Sequence, residues 1–155
     1  MTHSISFITE TAPGLLKQLT EDSVARWGIM QPQHMVEHLS VLFYLSSKDV
    51  GLGVLAGPEK IGVNPDLVNN DEVFPRMIHG VGLKVGETES LRFASLDEAK
   101  QKFLKGLNGF FRYFEQHPDH TLVHPVFGPL TYEQWLRFHH KHITHHFTQF
   151  GLIAE

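Results

Sequence analysis

Residues 131–151 read TYEQWLRFHHKHITHHFTQFG, and the fold reading starts from this stretch. Thr131 followed three residues later by Gln134 is a capping-box pattern, in which two side chains satisfy helix-start N–H groups reciprocally. Gly151 suits the position just past a helix end, where the backbone turns left-handed. The span between them predicts one helix ending near Phe150. With Trp135 set at zero and about 100° per residue, His142 and His146 fall roughly 20° to either side. His139 follows at about 40°, Gln149 at about −40° and Phe138 at about −60° on the same wheel. Trp135, His142 and His146 share the face that enters the bundle, with His145 at its margin and His140 directed to solvent.

Working outward, Ser95 and Glu98 form a second capping pattern. Leu96, Ala99, Phe103, Leu107, Phe110, Phe111 and Phe114 then recur at helical spacing to about Gln116, and His117-Pro118 stops the helix. Met35, Leu39 and Leu42 mark another helix from Pro32 to about Ser47, with His38 on the border of its apolar stripe and Glu37 pointing roughly the other way. A short helix is expected over Pro13–Thr20. Residues from about Lys48 to Ala94 are punctuated by Gly and Pro and form a long irregular insertion. It has room for a short helix around Asp66–Asn70 and a small hairpin around Leu83–Phe93, and is expected to pack over one end or side of the helices. A turn-rich connector leads to Pro129. Helices of this kind bury their stripes against one another, so the expectation is an all-α, four-helix bundle in one domain, residues 1–155, with the insertion between its second and third helices.

Composition narrows the function. The 155 residues contain no Cys, which excludes disulfide scaffolds, Cys-ligated zinc, iron–sulfur clusters and Cys nucleophiles. A formal charge of −4 argues against broad nucleic-acid binding. No apolar run is long enough to span a bilayer, and the first ten residues lack the features of a signal peptide, so a soluble cytoplasmic protein is expected. Zincin, di-iron, P-loop, dinucleotide and nucleophile-elbow motifs are all missing.

Twelve His remain to be explained, five of them within His139–His146. Two His at i and i+4 lie one turn apart on one face, so their imidazoles can converge on one ion. His142 and His146 have that spacing, and His38 is the best-placed third ligand. The competing reading is a set of hydrogen-bonded core and surface histidines. Gln149, one turn beyond His146, either orients a ligand imidazole, bonds a metal-bound water, or is simply a polar residue near a helix end. His124 is either a group of the site or a backbone partner in its proline-bounded turn. Trp27 and Trp135 either wall a pocket or belong to the core, the commoner fate of large aromatics near helix starts. Arg76 and His79 are the insertion residues best suited to meet an anionic substrate.

The quoted residues resemble a known superfamily. His38, with His142-x-x-x-His146-x-x-Gln149, is similar to the metal triad of the DinB/YfiT-like proteins. Trp27-Gly28-Ile29-Met30, Met35-Val36-Glu37-His38-Leu39 and His124-Pro125-Val126-Phe127-Gly128-Pro129-Leu130-Thr131 are closest to its DUF1569 branch, whose function is unknown. The resemblance implies a bundle carrying a divalent ion, zinc or nickel foremost and iron or manganese next, on His38, His142 and His146. His139, His145, His124, Trp135 and Gln149 then supply surrounding or pocket groups. It also implies a homodimer and a small-molecule or thiol substrate, since relatives include thiol-dependent transferases. Two functional expectations follow: a metal-dependent hydrolase or thiol transferase, or a non-enzymatic metal- or ligand-binding bundle.

Overall fold

The computed structural model describes residues 5–76 and 87–155. The chain is mostly helical, with one two-stranded antiparallel hairpin. Helix α1 opens with a π-turn, Phe7–Thr11, and continues as an α-turn, Ala12–Leu16. Ala12 N–H bonds the Phe7 carbonyl five residues back, so the wider register precedes Pro13, which has no N–H to contribute. That tolerance lets the helix lie earlier than the expected Pro13–Thr20. Leu19, beyond its end, is still buried.

Helix α2 spans Pro32–Leu45 and α3 spans Leu96–Gln116. These two pack most extensively. The reason is glycine: a Cβ on Gly106 would sit 2.9 Å from the Phe43 Cβ, and one on Gly109 would sit 3.1 Å from the Ser47 Cβ. Two bare positions one turn apart let the backbones approach closely. Ser95 Oγ accepts from Glu98 N–H at 3.1 Å and starts α3 in the expected register.

Helix α4, Tyr132–Gln149, is capped at both ends. Thr131 and Gln134 close the capping box at its start. At its end Gly151 takes a φ of +72°, while Leu152 N–H bonds the Phe147 carbonyl and Gly151 N–H bonds that of Thr148, a Schellman motif. Helix α4 meets α1, α2, the hairpin and the insertion. Its buried arc is therefore wider than one stripe and includes Leu136, Ile143 and Phe147. His140, expected in solvent, is half-buried and sits edge-on to Phe7 at 4.7 Å between ring centres, because α1 covers that side. Phe43, Phe103, Phe110, Trp135 and Phe147 fill the core, each burial stabilising the fold by roughly 2 kcal/mol or more.

The hairpin corrects the all-α expectation. Strands β1, Leu122–His124, and β2, Gly128–Leu130, pair in the connector before α4, with Leu122 opposite Leu130 and His124 opposite Gly128. Three residues are too few for a legible period-two pattern, and Pro129 demotes the run unless it lies on an edge. Of the hairpin expected at Leu83–Phe93, residues 83–86 lie outside the described residues, and 87–93 form no strand.

Through its described residues the insertion runs as irregular chain with two 3₁₀ turns, Pro58–Ile61 and Leu67–Asn69. The second stands where a short helix was expected, and Leu67 and Val68 are buried beneath it. Helix α4 fastens it: Lys141 Nζ donates to the Leu67 carbonyl at 2.6 Å and also to the Asn70 carbonyl, while Arg137 pairs with Asp71. Farther along, Glu37 of α2 is buried and its carboxylate accepts Arg92 N–H at 2.6 Å and Phe93 N–H at 3.3 Å. The wheel had turned Glu37 away from the core, and the returning insertion covers it. Among the described residues no helix is long and apolar enough to cross a membrane.

Candidate metal centre

His38 projects from α2 toward α4, where His142 and His146 lie one turn apart. The three rings form a nearly equilateral triangle, with centres 4.8, 5.0 and 4.9 Å apart. His38 Nε2 and His142 Nε2 face each other at 2.9 Å. One ligand nitrogen from each of the three lies within 4.8 Å of the others, close enough to hold one ion. Tetrahedral zinc with metal–nitrogen bonds of ~2.0–2.1 Å places its nitrogens about 3.3 Å apart. The facing pair, at 2.9 Å, is slightly inside that separation. Among the described residues this is the one group of three or more His, Asp or Glu so arranged.

The donor chemistry fits a metal as well. His142 and His146 are buried and His38 half-buried. Burial lowers the pKa of His38, and pushes those of His142 and His146 well below 6.5, since the interior disfavours the imidazolium. The positive charge any one of them would carry lowers its neighbours further. The triad is therefore held neutral near pH 7, the form that coordinates metal.

The outer groups differ between the three histidines. His146 Nδ1 lies 2.7 Å from Gln149 Oε1, an acceptor, so Nδ1 carries the proton and Nε2 presents a lone pair. Gln149 Nε2 in turn donates to the Trp27 carbonyl at 3.0 Å, which fixes which way the amide points. His142 Nδ1 is buried and has no hydrogen-bond partner among the described residues.

The other sequence candidates occupy distinct places. His139 is fully within the core: Nε2 bonds Ser46 Oγ at 2.8 Å, and the ring stacks on Phe43 at 3.9 Å and on Trp135 at 5.3 Å. Trp135 is buried and donates its indole N–H to the Leu122 carbonyl. His124 Nδ1 accepts Val126 and Phe127 N–H groups, closing the hairpin turn, and burial lowers its pKa to about 3. His145 is half-buried, edge-on to Trp27 at 5.6 Å and beside His146 at 4.8 Å, with its pKa lowered to about 4, first by burial and then by the charges of His38 and Arg76. Arg76 stacks over the Trp27 ring at 4.4 Å and pairs with Glu155. His79 lies outside the described residues.

Three contributors had escaped the sequence reading. Phe74 of the insertion lies beside His142 and His145, at 5.7 and 5.9 Å. Ser46, the residue after α2, holds His139. The Trp27 carbonyl holds Gln149. A main-chain acceptor leaves no residue-type signal, and a lone Phe in a Gly- and Pro-rich stretch has no periodicity to place it.

The class of protein that fold and site define is a mostly helical domain with a buried three-histidine cluster between two helices. The chain matches no family model, and comparisons with curated proteins and with solved structures likewise find no match.

Proposed function

We propose that this protein is a DinB-like four-helix bundle that binds one divalent ion, zinc or nickel foremost, on His38, His142 and His146. It acts on a small molecule as a metal-dependent hydrolase or thiol-dependent transferase. The observation that carries this reading is the mutual facing of three imidazoles from two helices, with His38 and His142 nitrogens 2.9 Å apart. Three buried or half-buried His with no carboxylate among them have little structural reason to converge, because each neutral ring needs its own polar partner. A three-nitrogen site leaves coordination positions for water or substrate. A bound ion would supply Lewis acidity, lowering the pKa of a coordinated water or thiol toward neutrality. The chain's own residues hold the ligands neutral, and Phe74 and Phe138 surround His142 with apolar surface.

One observation favours a second reading, a non-enzymatic metal-binding bundle. The one buried carboxylate among the described residues is Glu37, and its oxygens are occupied by Arg92 and Phe93 N–H groups and by Gln33. It is not free to serve as a general base.

Elemental analysis of tag-free protein, beside a His142→Ala/His146→Ala variant, tests the shared premise. Near-stoichiometric metal in the parent, lost in a folded variant, is the expected result. No metal in the parent after incubation with Zn²⁺ or Ni²⁺ overturns both readings. If metal is bound, turnover of ester or thiol-acceptor substrates by the parent alone separates the enzyme from the binding bundle.

A further inference from the structure

We infer that the loop residues Arg26, Trp27 and Gly28 are a positioning device that sets the tautomer of His146 and thereby its competence as a metal ligand. The inference rests on the metal-binding reading for its purpose, but the tautomer it describes exists in the metal-free protein.

Arg26 N–H donates to the Gln149 carbonyl at 2.7 Å and draws the loop onto the last turn of α4. The next carbonyl, that of Trp27, accepts Gln149 Nε2 at 3.0 Å. An amide with its NH₂ end held this way has only its oxygen left for His146, and Oε1 lies 2.7 Å from Nδ1. The proton is thus fixed on Nδ1 and the lone pair on Nε2. A free neutral imidazole side chain favours the opposite tautomer, with the proton on Nε2, which would block coordination by that nitrogen. The loop reverses the intrinsic preference before any ion arrives.

Gly28 makes the approach possible for two separate reasons. Its φ of +75° is a conformation L side chains rarely adopt, and a Cβ there would lie 3.0 Å from Gln149 Nε2. A side chain at position 28 would press on the same amide nitrogen that Trp27 holds. Gly51 offers a comparison: its φ is +70°, yet a Cβ there would meet nothing within 4 Å.

The test uses the 155-residue chain carrying Gly28→Ala, Gln149→Leu, both changes together, or Gly51→Ala as a control for the backbone effect. Nitrogen-15 shifts of the His146 ring in metal-free protein at pH 7.5 report the tautomer, and chelator competition reports Zn²⁺ affinity. The parent is expected to show protonated Nδ1. Gly28→Ala and Gln149→Leu are expected to shift population to protonated Nε2 and to weaken Zn²⁺ at least about tenfold each. The double variant should be no weaker than Gln149→Leu, since both act through one amide. Gly51→Ala should leave tautomer and affinity unchanged. Protonated Nε2 in the parent, unchanged tautomer in both single variants, or additive losses of affinity would each overturn the inference. If the parent binds no Zn²⁺ the functional reading fails, and the tautomer measurement alone then decides whether the loop sets the His146 proton.

Discussion

His38 and His142, 104 residues apart in the chain, meet nitrogen to nitrogen at 2.9 Å. Two neutral imidazoles can face each other this way only if one Nε2 carries a proton and donates it to the other. An ion held by these residues would take the place of that hydrogen bond and would tie α2 to α4.

Metal binding should therefore stabilise the fold as well as fill the site. A ligand at 100 times its Kd adds about 2.7 kcal/mol, which for a domain of this size is a rise in Tm of roughly 5–10 °C. Differential scanning fluorimetry with Zn²⁺ is expected to show such a shift in the parent and none in His38→Ala or His142→Ala. A shift retained by both variants would place the bound ion elsewhere.

Acid should unfold the metal-free protein early. His124, His139, His142 and His146 are neutral when buried, with pKa values below the 6.5 they have when exposed. Below pH 6.5 the unfolded chain binds more protons than the folded one, so stability is complete above that pH and falls as pH drops. For His124 the window runs from 6.5 down to about 3. Each such group removes about 1.4 kcal/mol per pH unit within its window. Urea midpoints at pH 7.5 and 5.5 should differ clearly, and equal midpoints would contradict burial of neutral rings.

His139 and His142 are one turn apart but should respond differently. His139 is packed between Phe43 and Trp135 and bonded to Ser46. His139→Ala opens a cavity in the core and is expected to cost about 3 kcal/mol or more. Its Zn²⁺ affinity, measured by chelator competition on the folded fraction, should stay within about twofold of the parent. A tenfold loss would make His139 part of the metal site.

Glu37 anchors the insertion where it returns to the helices. Glu37→Ala leaves the Arg92 and Phe93 N–H groups without their acceptor and should cost about 1–3 kcal/mol. Hydrogen exchange at those two amides is expected to speed up well before the core amides of α3. Unchanged protection at both would show that the insertion is held by other contacts.

The outcomes that were legible before folding are local ones. Helices α3 and α4 start at Ser95 and Thr131 and stop at His117 and Gly151 because caps, proline and glycine act within four residues of one another. The inward phase of His142 and His146 follows from the same helical period. The hairpin at Leu122–Leu130 was not legible, since strands of three residues carry too little pattern. Glu37 was misplaced because its burial comes from a segment more than fifty residues away.

The candidate site divides in the same way. Composition excluded cysteine ligands, spacing put two candidate histidines on one helix face, and His38 was the best-placed third. How closely His38 approaches them, which His is core, and which nitrogen of His146 carries the proton are settled by how α2, the 26–28 loop and the insertion dock on α4. Helical periodicity fixes an angle around one axis. The distance between two axes, and the backbone carbonyl that reaches a given side chain, depend on packing such as the close approach at Gly106, and so arise only in the folded chain.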